Sequence, residues 1–447
     1  NITYYAQWSV NNYTLTVSPS NKNYMGACES SIKITAPTQS YTVSFNGNGG
    51  STPSSKTSTR SFSSWSLTGS GKINSNTANP VTYTYQSGNG TLKANYNSTG
   101  NAITLPSSSR SGYIFIGWYT SSGTKVGNVN ASYSPKSNIT LYAHWQLAIA
   151  QIGSTLYPSL ASAINAVPSN GVKTTITMLQ NTTESVSVPN GKNINLNVNS
   201  KTITNAENDG FAIKNYGTLN IYGGTVNAGN NGKSAIQNNS TGNLTIQSGT
   251  FYQENANKWT IANTGNLTIT GGTIKLGNNS AGGGSAIMAS NGNVNISNVY
   301  VTSYGYAIGI TGTTKIKSTG GILESLNSNT NMSAVAILKE SLSGSSAEFI
   351  NTTIRIANAN NFAIDNASSN LVCTVRNRNG NYGTSGKIRG KVVATTNTGA
   401  GQASEKVTFY SYNEYLVFPV WSSYNGQDDI KWLSSHSTNG IHTITVN

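Results

Sequence analysis

Acidic side chains are scarce in this chain. Only 13 Asp and Glu occur among 447 residues, and 9% of the sequence is charged, against about 25% in ordinary soluble domains. That leaves thin material for a hydrolase, which needs a carboxylate pair, or for a calcium cage of carboxylate oxygens. Histidine is rarer still. His144, His436 and His442 are the three in the chain, and they lack metal-ligand spacing. Cys28 and Cys373 are the two cysteines; they exclude a disulfide framework and a thiolate metal site, and two buried free thiols are expected. No apolar run is long enough to cross a membrane, so no direct membrane insertion is expected. There is neither an initiator Met nor a signal peptide; the sequence opens mid-motif at Asn1 and reads as a piece of something longer. Net charge is +14, which favours acidic partners such as anionic glycans. The bases are scattered, with no run longer than Arg376-Asn377-Arg378, and this argues against nucleic acid. No cofactor and no metal are expected.

Gly, Asn, Ser and Thr fill the room that charge leaves, and they suit stacked turns better than helices. From Phe211 to Asn366 the chain repeats one phrase. Phe211-Ala-Ile213 returns as Ser234-Ala-Ile236, Trp259-Thr-Ile261, Ser285-Ala-Ile287, Tyr306-Ala-Ile308, Val335-Ala-Ile337 and Phe362-Ala-Ile364. Between the middle residues of these triplets the period runs 23, 25, 26, 21, 29 and 27. Thr218–Val226, Asn243–Phe251 and Asn266–Ile274 repeat a second phrase of alternating apolar residues closed by Gly-Gly or Ser-Gly. Such a period, with short alternating runs and no helical pattern, predicts a parallel β-helix with two or three short strands per coil. Glycines mark the corners, and asparagines at equivalent positions would stack into amide ladders. The leucine-rich repeat consensus is absent.

One segment is helical in pattern. Ser159 caps a run in which Leu160, Ala163, Ile164 and Val167 share a stripe, ended by Pro168 and Gly171. Short strands follow, including Val188-Pro-Asn-Gly-Lys-Asn-Ile194 and Lys201-Thr-Ile203. This succession resembles the start of a pectin-lyase-like right-handed β-helix, in which the helix would plug the exposed N-terminal end of the solenoid. That family includes polysaccharide lyases and hydrolases. Here the acids of the solenoid are Glu207, Asp209, Glu254, Glu324, Glu340, Glu348 and Asp365. Only Glu207 and Asp209 are neighbours, neither recurs in later coils, and catalysis is not expected. Tyr216, Tyr222, Tyr252 and Trp259, with Lys214 and Lys258, are the candidate glycan-binding residues. The rings offer stacking platforms and the bases recur near coil edges.

Residues before the solenoid carry another pattern. Asn138-Ile-Thr-Leu-Tyr-Ala-His-Trp145 is nearly duplicated at Asn1-Ile-Thr-Tyr-Tyr-Ala-Gln-Trp8, and Gly90–Tyr96 is a looser third copy. Gly112-Tyr-Ile-Phe-Ile-Gly-Trp-Tyr119 precedes one copy and Phe62-Ser-Ser-Trp65 another, while Tyr41–Gly50 supplies an opening strand and an Asn-Gly-Gly turn. These residues resemble the Listeria–Bacteroides repeat, a small β module of internalin-type surface proteins. Residues 101–146 carry its centre and close without its opening; residues 41–97 carry the opening with a degenerate centre. The expected modules are therefore 9–97 and 98–147, with Trp65, Trp118 and Trp145 in their cores. Residues 1–8 form the last strand of a repeat whose earlier strands are missing. Either that repeat was cut away, or the strand, through Ile2, Tyr4, Ala6 and Trp8, completes a neighbouring molecule's sheet and builds a head-to-tail filament.

After Asn377 the solenoid pattern stops. Phe418-Pro-Val-Trp421, with Asn425-Gly-Gln-Asp-Asp-Ile-Lys-Trp432, resembles the Bsp-like repeat of group B streptococcal secreted proteins. Asp428 and Asp429 are expected to cap the Asn425-Gly426 turn. The sequence thus predicts an all-β chain: β modules to residue 147, a capped β-helix over 148–374, and a C-terminal β module over 375–447. All three resemblances imply the outside of a Gram-positive bacterium. The expected function is a non-enzymatic extracellular adhesin or display rod binding glycan or host matrix. A filament subunit and a divergent polysaccharide lyase or hydrolase are the alternatives.

Overall fold

The computed structural model describes residues 10–277, 281–329, 332–377, 384–396, 405–410, 415–420, 431–437 and 441–446. The chain divides into two compact units between Leu147 and Ala148.

The first unit is built on an eight-stranded sheet with two separate cores. Leu15, Val17, Trp65, Tyr83 and Leu92 anchor one; Val43, Phe45, Trp118 and Leu141 anchor the other. Neither core is continuous in sequence. The opening strand Asn12–Ser18 lies parallel to the closing strand Gly90–Gly100, pairing Leu15 with Gly90. The strand Ser40–Asn46 passes over that partner and lies parallel to Ile139–Leu147, pairing Val43 with Ile139. The 14-residue strand Lys56–Gly69 serves both cores: Lys56–Thr59 pairs with Ser40–Val43, and Arg60–Gly69 pairs with Gly90–Gly100. The two modules are therefore interleaved, and a boundary between residues 97 and 98 does not separate them. The Asn-Gly-Gly turn absent from 101–146 is supplied by residues 47–50. Trp145 donates its indole N–H to the Gly47 carbonyl at 3.0 Å, and a Cβ on Gly50 would stand 2.4 Å from the Trp145 ring. Trp65 and Trp118 are buried and donate to the carbonyls of Ala78 and Pro106 at 2.9 and 2.8 Å. The indoles thus make core with their one donor satisfied. Cys28, expected to be buried, is exposed in the short connection after the strand Lys22–Ala27. Cys373 is free and buried in the other unit, where burial pushes its thiol well above the ordinary range.

The second unit is a parallel β-solenoid. Each coil contributes one strand to each of three sheets. Asn193–Asn197, Thr218–Tyr222, Asn243–Ile246 and Asn266–Ile269 stack in the first sheet. Thr202–Thr204, Thr225–Asn227, Thr250–Gln253 and Thr273–Leu276 stack in the second. Phe211–Asn215, Ser234–Asn238, Trp259–Asn263 and Ser285–Ala289 stack in the third. Inward side chains align like with like: Leu219, Leu244 and Leu267 form one column, and Ile221, Ile246 and Ile269 the next. Glycine is required at the corner between first and second sheets. Gly224 has φ +59°, and a Cβ there would lie 2.4 Å from the Lys201 carbonyl oxygen of the preceding coil.

Asparagine ladders form as the sequence predicts. Asn215, Asn238 and Asn263 are buried; Asn215 Nδ2 donates to Asn238 Oδ1 at 2.8 Å, and Asn238 Nδ2 to Asn263 Oδ1 at 2.7 Å. One triplet differs from the sequence reading. Ser333 pairs with Phe362 and Val335 with Ile364, so the sixth copy is Ser333-Ala-Val335, two residues before Val335-Ala-Ile337. Both segments satisfy the same apolar pattern, and only the stacking register distinguishes them.

The helix is Leu160–Ala166, with Ser159 as N-cap in a reciprocal capping box with Ser162. Leu160, Ala163 and Ile164 enter the solenoid core. Both helix ends are tied down by charge. Glu184 accepts from the amides of Leu160 and Ala161 at 2.9 and 3.0 Å. Lys192, buried, donates to the carbonyls of Ile164, Asn165 and Val167 at 2.8, 3.0 and 2.6 Å. A carboxylate at the first turn and an ammonium at the last suit the helix dipole and satisfy its orphan amides and carbonyls. The Gly191-Lys192 pair of the sequence motif thus has a local structural purpose.

Beyond the coils, Val392–Thr396 continues the first sheet and pairs antiparallel with Glu405–Tyr410, which pairs in turn with Ile441–Val446. Tyr415–Val420 and Lys431–His436 form an antiparallel pair. His442 is buried with Nδ1 3.1 Å from the Ser435 carbonyl oxygen. Asp428 and Asp429 lie outside the described residues.

Candidate glycan-binding surface

Outward residues of the second sheet form two columns. One reads Thr202, Thr225, Thr250, Thr273 and Tyr300; the other Thr204, Asn227, Tyr252, Lys275 and Thr302. Where the second column turns aromatic and then basic, a shallow open cleft of about 500 Å³ lies over the sheet. Thr225, Thr250, Tyr252, Lys275, Thr302, Tyr304 and Leu326 are among the residues that line it. Its end is shaped by Gly277, with φ +84°. A Cβ there would stand 2.8 Å from that of Tyr304 and 3.1 Å from that of Ala256, so a side chain would displace the ring from the cleft wall.

The electrostatics favour a hydroxyl-rich ligand with some acidity. Burial pushes the Tyr252 phenol up, and nearby Glu254 pushes it the same way, so it stays a neutral donor. The Lys275 side chain is exposed and belongs to none of the ion pairs among the described residues. Two coils on, the Tyr300 hydroxyl donates to Glu324 at 2.8 Å, and this bond, more than burial, raises its pKa.

The residues predicted from sequence do not converge. Tyr222 stands on the first sheet, Tyr252 on the second, and Trp259 and Lys214 on the third. Tyr216 is exposed at the turn from third sheet to first. Two of the bases are engaged: Lys214 lies 3.8 Å from Glu207, and Lys258 lies 3.1 Å from Asp209. Such exposed pairs are worth about 0–1 kcal/mol. Only the register reveals which outward residues of successive coils are neighbours, and it brings Lys275, Tyr304 and Leu326 together with Tyr252. No three His, Cys, Asp or Glu side chains come together among the described residues in a way that would hold a metal ion. Ile2, Tyr4, Ala6 and Trp8 lie outside the described residues.

A search of curated proteins and a search of solved structures return no match to this chain. No helix among the described residues is long and apolar enough to cross a membrane. A family model does match part of the first unit. It starts in the strand Val81–Thr84 and runs through both closing strands, taking in the Gly112–Tyr119 centre. Residues 81–144 are similar to the Listeria–Bacteroides repeat domain, a module of surface and extracellular proteins.

Proposed function

We propose that this chain is a non-catalytic extracellular protein, of the kind displayed on Gram-positive cell surfaces, whose solenoid is a rigid rod that binds glycan. The observation that carries this reading is the cleft over the second sheet, where Tyr252 and Tyr304 stand beside the unpaired ammonium of Lys275. Sugars present apolar C–H faces to rings and hydroxyls to the surrounding threonines, and sites of that kind combine apolar area with a few polar groups. Lys275 favours a glycan carrying carboxylate or sulfate near that point. The helix Leu160–Ala166 covers apolar residues at the N-terminal end of the rod, where the hairpin Ala150–Ile152 and Thr155–Tyr157 pairs with the first strand of the first sheet.

A non-catalytic role is supported by the fate of the neighbouring acids: Glu207 and Asp209 are exposed and each faces a lysine. A glycan array, followed by calorimetry on its best acidic ligand, tests the reading. Tyr252→Ala and Lys275→Ala are each expected to weaken binding ten-fold or more with an unchanged thermal midpoint. Turnover of uronate polymers that disappears in Glu207→Gln or Asp209→Asn would overturn it.

A further inference from the structure

With the sixth triplet in its proper register, the outward column at the start of the third sheet alternates over seven successive strands. Phe211 is followed coil by coil by Ser234, Trp259, Ser285, Tyr306, Ser333 and Phe362. In the strand Phe211–Asn215, Ala212 and Ile213 are both in the core while Phe211 and Lys214 are partly exposed. The Lys214 ammonium lies 5.6 Å from the Phe211 ring, and the Arg389 guanidinium 4.0 Å from that of Phe362. Burial, and then the nearby Asp365 charge, raise the Tyr306 pKa. The serines are at most 3% exposed although their column faces outward. The column therefore carries rings on alternate coils, with small buried side chains between them.

Folding does not demand this. On the first sheet the corresponding outer column is Asn193, Thr218, Asn243, Asn266 and Asn293, and that sheet stacks as well. The serines are there for size. Ser234 Oγ has no hydrogen-bond partner, and Ser285 Oγ reaches only the Met288 sulfur at 3.8 Å. With strands about 4.8 Å apart, rings two coils apart repeat every ~9.6 Å along the solenoid. That is close to the length of two pyranose rings in an extended chain. The column beside the rings is uncharged at its centre, reading Gln237, Ala262, Met288, Gly309 and Ala336. The charges at its ends are spent in the Lys214–Glu207 and Arg389–Asp365 pairs, and near the central rings the Lys233 ammonium lies 5.9 Å from the Trp259 ring. We propose that the third sheet is a second binding surface, taking an uncharged, extended polysaccharide that runs along the solenoid axis with every second sugar on a ring. This surface is independent of the cleft.

The test is calorimetry with β-1,4-linked gluco-oligosaccharides on the whole chain. A tetrasaccharide is expected to bind at least ten-fold tighter than a disaccharide, because it reaches a second ring. Trp259→Ala should remove most of that gain. Ala262→Glu, which keeps every ring and plants a charge on the strip, should do the same with an unchanged thermal midpoint. Affinity that does not rise with length, or survives Ala262→Glu, overturns the proposal. So does concentration-dependent self-association that Ala262→Glu abolishes, since the strip would then hold a second copy of the chain. If acidic glycans bind and Tyr252→Ala alone weakens them while neutral chains never bind, the cleft stands and the strip falls. If no glycan of either kind binds, both fall.

Discussion

The two units use the same alphabet of short alternating strands and distribute their pairing in opposite ways. In the solenoid every strand finds its partner one coil away, as Leu219 finds Leu244 and Ile236 finds Ile261. In the first unit Leu15 waits for Gly90 and Val43 for Ile139, with another module's strand intervening each time. Local pairing makes an array whose stability is close to a sum over neighbours. Interleaved pairing makes a unit in which the second core cannot close without Val43 and Phe45, which lie inside the stretch that builds the first. Similar sequence texture therefore gives one part that can be shortened and one in which a cut near residue 97 strips a core of two of its residues.

Cutting each region tests this most severely. A piece spanning residues 98–147 lacks Val43 and Phe45, each of which would cost several kcal/mol to remove from a core. It should show no cooperative thermal transition by circular dichroism. Deleting residues 243–265 joins Gly242 to Asn266 in the place of Asn243 and removes one coil, and the shortened chain should still melt cooperatively. Two-state melting of the isolated 98–147 piece would break the comparison. A smaller effect is expected at the start of the solenoid. Lys192→Met keeps the stem but takes the ammonium from the carbonyls of Asn165 and Val167 and leaves that of Ile164 with the Val167 amide alone, at a cost of about 2–4 kcal/mol. Hydrogen exchange should quicken in the helix and first coils and stay slow near Ile354; acceleration throughout would mean the array is less local than its pairing. The smallest effect concerns pH. Burial raises the phenols of Tyr83, Tyr85 and Tyr96, all packed in the first core. Their unfolded forms ionise first, near pH 10, so the unfolded chain binds fewer protons above that pH and stability falls as pH rises through the native values. Urea melts of the first unit at pH 8 and pH 10.5 should show that loss in a single transition, because the cores are interleaved. Tyr85→Phe should reduce it at little cost at pH 8, since the Tyr85 hydroxyl has no partner.

Much of this was legible in the sequence because stacked coils repeat their inward residues. The Leu-x-Ile phrases, the Gly-Gly corners and the Ser159 cap each state a local requirement, and each structure follows. Interleaving was not legible. The Asn-Gly-Gly turn and the Gly-Tyr-x-Phe-x-Gly-Trp centre name the parts of a module without saying which copy closes which core. Nor does a period locate a surface. Tyr222, Tyr252 and Trp259 fall within two successive coils, yet stand on three different faces. The aromatic–serine alternation stayed hidden because Val335-Ala-Ile337 imitates the apolar pattern of the triplet two residues upstream.

The asparagine ladders also have a direction. In the buried row each amide donates toward the C-terminal end, from Asn215 to Asn238 to Asn263. On the outer face of the first sheet the sense is reversed: Asn220 donates to Asn195, Asn266 to Asn243, and Asn293 to Asn266. A row of aligned amides sums its dipoles as a helix does. Two rows in opposite senses offset each other, so the solenoid gains the cohesion of stacked amides without becoming polarised from end to end.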